Sequence, residues 1–240
     1  MRRRFKIRVQ PLTVLVKSCK RDRELGFHDA IRETWGAQLK VLGVDTYFFL
    51  ADPAGIRGQK DEINFLDGCP DDYMGLPHKT QRICNWASRK RLPLIFLCDN
   101  DTLISPEKLI NCLVINGGQY DYAGYFCQGA SEIGKTFDYQ DHLGVYLGCS
   151  TWCSGGVGYF LSWKAASYVG ATPPTVWAED MYVGQVMGPL IRKGEISALS
   201  LPLNANVTWH FRKNVGNPIF TPALLREIYA KGGPDAFYRS

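Results

Sequence analysis

Apolar positions in this chain gather into short unbroken runs. Residues 12–18, 45–51 and 94–98 are each dense in Val, Leu, Ile or Phe. Runs of that length, bounded by polar residues, read as buried strands. Between them the spacing turns helical, at 22–35 and 76–89, with Thr34-Trp35-Gly36 ending the first of these. Ser105-Pro106-Glu107 opens another helix, with a Ser cap and Pro in the first turn. Further strands are predicted at 120–127 and 158–161, further helices at 162–169 and 180–192, and a strand edge or loop at 61–66. Strands alternating with helices predict an α/β fold, a mixed and largely parallel sheet with helices on both faces.

Length adds a domain count. The chain has 240 residues and no repeat or low-complexity linker. It suits one catalytic domain over 1–240, with a basic segment at 1–11 and an extension at 213–240. A 45% hydrophobic share and a 21% charged share are ordinary for a globular protein.

Chemistry enters where the 94–98 run stops in Asp99-Asn100-Asp101. The C-terminal edge of a parallel sheet is where open α/β folds bind ligands. Two hard carboxylates there suit a divalent cation, which in turn suits a nucleotide diphosphate. A solvated turn after a strand is the bland alternative. A second acidic pair, Glu179-Asp180, stands at a loop entering a helix. It reads either as a cap favoured by the helix dipole or as a general base. Between the two lies Ser154-Gly155-Gly156-Val157-Gly158-Tyr159, whose glycines permit a tight turn or close approach to a ligand.

In this order the pieces resemble the β1,3-glycosyltransferase family of galactosyl- and N-acetylglucosaminyltransferases and Fringe, glycosyltransferase family 31. The matching segments are Ile31-Arg32-Glu33-Thr34-Trp35, Tyr47-Phe48-Phe49-Leu50, Asp72-Tyr73-Met74-Gly75-Leu76-Pro77-His78-Lys79-Thr80, Asp99-Asn100-Asp101, the glycine segment, and Glu179-Asp180-Met181-Tyr182-Val183-Gly184. Together they run from about residue 12 to about residue 212. The resemblance implies a GT-A type fold and an inverting, metal-dependent transfer of galactose, N-acetylglucosamine or a similar sugar. The sugar would pass from a UDP-sugar to a hydroxyl of an acceptor saccharide, in a β1,3 linkage. It implies Asp180 as base, with Glu179 orienting acceptor or base; Trp152 and Trp177 flank the two loops, where stacking on sugar faces is their functional reading. Asp101 and His210 become metal ligands, with Mn²⁺ suited better than Mg²⁺. Ser18, Arg32, Lys79, Asp99, Asn100, Gly155 and Gly156 are assigned to the donor. Core packing is the alternative for both tryptophans and for His210. Lys79 either neutralises phosphate or pairs with Asp72.

Three departures from the family pattern stand out. Asn100 replaces the middle Asp of a triple acid, so Asn100→Asp is expected to be tolerated. Met181 replaces Val. Phe27-His28-Asp29 lies where an Arg is common, which leaves phosphate neutralisation to Arg32 and the metal. Asn100 keeps open an inactive glycan- or nucleotide-binding relative.

Net charge is +5, concentrated at Arg2-Arg3-Arg4 and Arg89-Lys90-Arg91. Solvated surface accounts for both clusters. Contact with nucleic acid is the sharper alternative, and the aromatic interleaving expected of strand-tracking sites is missing. No apolar segment has transmembrane length, so the chain suits a cytoplasmic enzyme or a Golgi luminal catalytic domain trimmed of its anchor. Eight cysteines without paired Cys-x-x-Cys spacing argue against structural zinc and for reduced thiols, although Cys149 and Cys153 invite a disulfide. Asn206-Val207-Thr208 is a glycosylation sequon.

Overall fold

The computed structural model describes residues 11–55, 57–65, 69–115, 120–127, 133–140, 146–204, 207–210 and 220–237, with backbone alone at 115, 136–140, 146–149 and 236–237. The Arg2-Arg3-Arg4 cluster, Asn206 of the sequon and the Cys149 side chain lie outside the described residues.

Three apolar runs become the centre of a sheet. They are β1 (Leu12–Lys17), β2 (Asp45–Leu50) and β4 (Leu94–Asp99), with β3 (Glu62–Asn64) at the edge beyond β2. β1 pairs in parallel with both β2 and β4. β6 (Tyr122–Gly124), β9 (Tyr159–Ser162) and β10 (Ala198–Ser200) complete seven strands in the order β10-β6-β9-β4-β1-β2-β3. β9 runs antiparallel to both of its neighbours, and every other pairing in this sheet is parallel. Two small antiparallel pairs stand apart: β5 (Thr102–Ile104) with β11 (Thr208–His210), and β7 (Thr136–Gln140) with β8 (Tyr146–Ser150).

Helices cover both faces, as the alternating pattern predicts. On one face Val14, Val16, Phe96 and Cys98 pack against α2 (Phe27–Glu33), α3 (Trp35–Val41), α5 (Pro106–Ile115) and α8 (Pro222–Ala230). On the other, Leu15, Ile95 and Leu97 meet α4 (Leu76–Arg89), α6 (Trp163–Ala171) and α7 (Glu179–Arg192). α4 buries Thr80, Ile83, Cys84 and Ala87, one stripe at helical spacing. α6 starts where Ser162 Oγ accepts from the Ala165 amide, and α8 where Thr221 caps Leu224.

The helical stretch after β1 departs from its prediction. It forms α1 (Lys20–Glu24), α2 and α3, and Trp35 opens α3 instead of closing a helix. Gly26 sits at φ +90, which breaks the first junction. At the second, Thr34 Oγ donates to the Ala30 carbonyl at 2.6 Å, and a Cβ on Gly36 would stand 2.7 Å from the Ile31 carbonyl oxygen. The 120–127 prediction shortens to β6, and β9 begins one residue later than expected. No helix among the described residues is long and apolar enough to cross a membrane. The described cysteines, Cys153 among them, are free thiols.

Candidate active site

Chain order reverses direction at β1. β2 lies on one side of it and β4 on the other, so the crevice at their C-terminal ends is the switch point of the sheet. Lys17 ends β1 and pairs in register with Asp99, which ends β4. Asn100 and Asp101 follow, and β5 folds back antiparallel to β11, which sets His210 opposite Thr102. His210 Nε2 then lies 3.5 Å from Asp101 Oδ1 and 4.0 Å from Asp99 Oδ2. One donor atom from each of these three residues falls within 4.8 Å of the others. Two carboxylates and an imidazole, crowded on one side, form a donor set that fits a divalent cation whose other positions stay open.

The glycine segment is the wall of this crevice. A Cβ on Gly156 would fall 2.2 Å from His210 Nδ1, and one on Gly155 would fall 2.4 Å from Glu179 Oε2. Bare backbone at both positions lets β11 and α7 approach together. The Gly155 amide also donates to Asp180 Oδ2 at 3.2 Å.

Glu179 and Asp180 open α7, but neither caps it; Ala178 holds the cap position. Glu179 instead accepts from the buried Tyr159 hydroxyl and lies 2.7 Å from Lys17 Nζ. Lys17 reaches Asp99 at 3.1 Å with its other contact. This lysine is 2% exposed. Burial works against its charge, yet Asp99 and Glu179 more than offset that and hold it protonated. A buried ion triad thus ties the acidic loop of β4 to the first turn of α7. Sequence reasoning missed Lys17; the available signal was a lysine ending an otherwise apolar strand at the ligand edge. Asp180, beside the triad, is pushed up to about 6 by burial and then by the Glu179 carboxylate, against the Gly155 amide, Lys17 and the Met181 amide.

Asn100 faces away from the His210 cluster. Its amide donates to Ser18 Oγ at 3.1 Å and to Asp22 Oδ2 at 2.9 Å. Ser18 Oγ in turn meets His28 Nε2 at 2.8 Å, and His28 Nδ1 meets Glu62 Oε1 at 2.7 Å. Burial lowers the His28 pKa despite Glu62, so the ring is neutral and the chain has one direction. Nδ1–H donates to the carboxylate, Nε2 accepts from Ser18, and Ser18 accepts from Asn100. Here the expectation for Asn100→Asp is corrected. An aspartate would set a second buried carboxylate against Asp22 and remove both donors.

The remaining sequence candidates sit as follows. Arg32 is held by Asp29, Asp61 and Glu62, at 2.8 to 3.0 Å, and is linked to the acidic loop through Glu62, His28 and Ser18. Lys79 is buried; it donates to the Ser18 carbonyl and to Asp71 at 2.8 Å, not to Asp72. Asp72 caps the turn before α4 through the Gly75 amide. Trp152 is buried against Ala178 and Met181. Trp177 is half-buried, and its ring centroid stands 5.9 Å from that of Tyr73.

An open α/β sheet binds its ligand in the crevice at the switch point, and charged loops line that crevice here. The chain matches the Galactosyltransferase family over residues 28–191, more than half of its length, and belongs to that family: it is a glycosyltransferase. Among solved structures it is similar to a Desulfovibrio desulfuricans G20 protein described as a nucleotide-diphospho-sugar transferase. The two share 15% identity over 92% of this chain and 96% of the other, with a TM-score of 0.41, too distant to carry an argument. No curated protein matches significantly.

Proposed function

We propose that this glycosyltransferase is metal-dependent and inverting. In this reading it moves galactose, N-acetylglucosamine or a similar sugar from a UDP-sugar to an acceptor saccharide hydroxyl, in a β1,3 linkage. The supporting observation is the triad Asp99–Lys17–Glu179, which joins a cation-type donor cluster to a carboxyl held near 6.

Asp99, Asp101 and His210 would hold Mn²⁺ or Mg²⁺. Such an ion supplies Lewis-acid neutralisation of the diphosphate as the sugar leaves. Asp180 takes the proton of the attacking hydroxyl. The Gly155 and Met181 amides orient its oxygens, and burial raises its proton affinity into the range a base needs at neutral pH. Glu179 does not compete for that proton, because Lys17 and Tyr159 occupy its two oxygens. Attack from the Asp180 side turns an α-linked donor into a β-linked product. Ser18, Asn100 and the glycine turn shape the donor side, and Lys79 fixes the backbone there from below. The domain assignment over 1–240 and a place in the cytoplasm or as a luminal catalytic domain belong to the same proposal.

Of the features behind the binding-only alternative, Asn100 is accounted for by its contacts with Asp22 and Ser18. Of the two basic clusters behind contact with nucleic acid, only the second falls among the described residues. Lys79, early in α4, reaches the C-terminal end of β1, whereas the exposed Arg89-Lys90-Arg91 group ends the helix just before β4 begins. That places the basic group at the opposite edge of the sheet from the site.

The test is UDP release from UDP-galactose and UDP-N-acetylglucosamine with Mn²⁺, with and without EDTA. Release that EDTA abolishes is the expected result. Release unaffected by EDTA would remove the metal, and no binding of any UDP-sugar would remove the donor class.

A further inference from the structure

Two loops bring exposed aromatic surface to the rim of the site. The first is the turn before α4. Asp72 Oδ1 accepts from the Gly75 amide at 2.8 Å, and a Cβ on Gly75 would stand 2.1 Å from the Pro70 carbonyl oxygen. One residue earlier, Asp71 accepts from the Lys20 amide at 2.6 Å, the Ala51 amide at 2.9 Å and Lys79 at 2.8 Å. The base of the turn is therefore fixed on three sides. Its tip is two large apolar side chains, Tyr73 and Met74, 65% and 51% exposed. Side by side on a turn held at its base, they form a small exposed apolar patch.

The second loop is the approach to α7. Trp177 comes three residues before Asp180, next to Ala178, which packs on buried Trp152 and Met181. Its ring is tilted 42° to that of Tyr73 at a centroid distance of 5.9 Å. The Tyr73 hydroxyl also senses the reacting groups: burial and the charges of Asp180, Asp99 and Glu179 together raise its pKa. Trp177 precedes Glu179 and Asp180 by two and three residues, so the pair stands at the carboxylate loop, with Tyr73 exposed.

We propose that Tyr73 and Trp177, with Met74 beside them, form a stacking subsite for a pyranose ring of the acceptor saccharide. The subsite rests on the transferase reading above and adds Tyr73 as a residue that sets acceptor specificity. A sugar offers an apolar C–H face and a rim of hydroxyls. An aromatic ring meets the face, while a nearby carboxylate receives a hydroxyl at the rim. The donor is bound through its charged diphosphate deeper in the crevice, so the exposed outer rings fall to the ring that arrives from solvent. Trp152, enclosed by Ala178 and Met181, is a support for the Trp177 loop and takes no direct part in stacking.

Saccharide binding can be read without turnover. Saturation-transfer NMR on methyl β-D-galactopyranoside and methyl N-acetyl-β-D-glucosaminide, with UDP and Mg²⁺ present, is applied to the wild-type chain and to Tyr73→Ala, Tyr73→Phe and Trp177→Ala. Wild type is expected to bind at least one of the two glycosides. Tyr73→Ala and Trp177→Ala should weaken that binding roughly three- to tenfold, the range of one aromatic contact, while Tyr73→Phe retains it. UDP affinity, measured by calorimetry on the same variants, should hold. Three results overturn the subsite: no binding of either glycoside to wild type, equal binding by Tyr73→Ala, or a loss in Tyr73→Ala that is confined to UDP affinity. Absence of UDP-sugar cleavage would count against the transferase reading and leave the saccharide result standing on its own.

Discussion

Asp180 is the residue on which the proposed chemistry turns, and its surroundings distinguish a base from a cap. Asp180→Asn keeps the size and one of the two amide contacts, since its amide nitrogen cannot accept, while removing proton affinity. Turnover is expected to fall by about 10²–10⁴, with UDP affinity unchanged and only the small drop in melting temperature that one lost amide contact brings. A carboxyl held at about 6 works as a base only when ionised. The rate of the wild-type enzyme should therefore rise with pH through about 6 and level above it; in the Asn variant that rising limb should vanish. Rate measurements from pH 5 to 8 on both proteins decide the point. Asn100 carries the second residue-scale expectation. Asn100→Asp is expected to lose roughly 2–4 kcal/mol of stability at pH 7, as an unpaired charge set against Asp22 in a buried site. The loss should shrink at pH 4, where one of the two carboxyls protonates. Urea unfolding at both pH values measures it.

Elements place these residues with little freedom, and helix contacts show why. α4 and α6 cross so closely that a Cβ on Gly170 would lie 2.6 Å from the Asn85 backbone nitrogen. Alanine favours a helix over glycine by up to about 1 kcal/mol. Overpacking against an immovable backbone costs about 1–3 kcal/mol, so it decides the sign. Gly170→Ala should lower the urea midpoint, and an increase would mean that α6 shifts freely over α4. At this scale the sequence was legible wherever a pattern was self-contained. The 76–89 helix stands as read, because its stripe and its Pro-containing first turn are local. The 22–35 stretch is mostly helical as read, but its break at Thr34 and the continuation past Trp35 were not legible, because Thr34 and Gly36 work through close approach to Ala30 and Ile31, which spacing does not reveal. The three-residue strands β5, β10 and β11 are too short to leave a period.

Across the whole molecule, the proposed ligand binding would be linked to folding, because the donor cluster exists only in the native state. Asp99 and Asp101 follow β4, whereas His210 is brought in by a strand more than a hundred residues later. An ion and nucleotide that bind this cluster in the folded form alone stabilise it by mass action, by about 2.7 kcal/mol at a hundredfold excess over Kd. Mn²⁺ with UDP is expected to raise the melting temperature, EDTA to reverse the rise, and Asp101→Ala to abolish it with the unliganded melting temperature held. Calorimetric melting of both proteins checks this. The C-terminal part is joined to the same body: Phe220, Leu225 and Ile228 lie in the core shared with α2, and Tyr229 donates to the Ile104 carbonyl just past the acidic loop.

The sequence by itself determined the strand edge, the acidic pairs and their order, because those features are carried by neighbours a few positions apart. It also carried the family, since the short motifs keep that order along most of the chain. Tertiary structure alone decided what each charged group does. Lys17 looks like a polar strand end, and only the pairing of β1 with β4 and the docking of α7 turn it into the cation between Asp99 and Glu179. Arg32 reads as a phosphate ligand until the fold gives it Asp29, Asp61 and Glu62. Asn100 reads as a missing acid until Asp22 faces it. Partners such as these come from strands and helices distant in the chain, and a charge takes its role from its partners, its burial and the field they set.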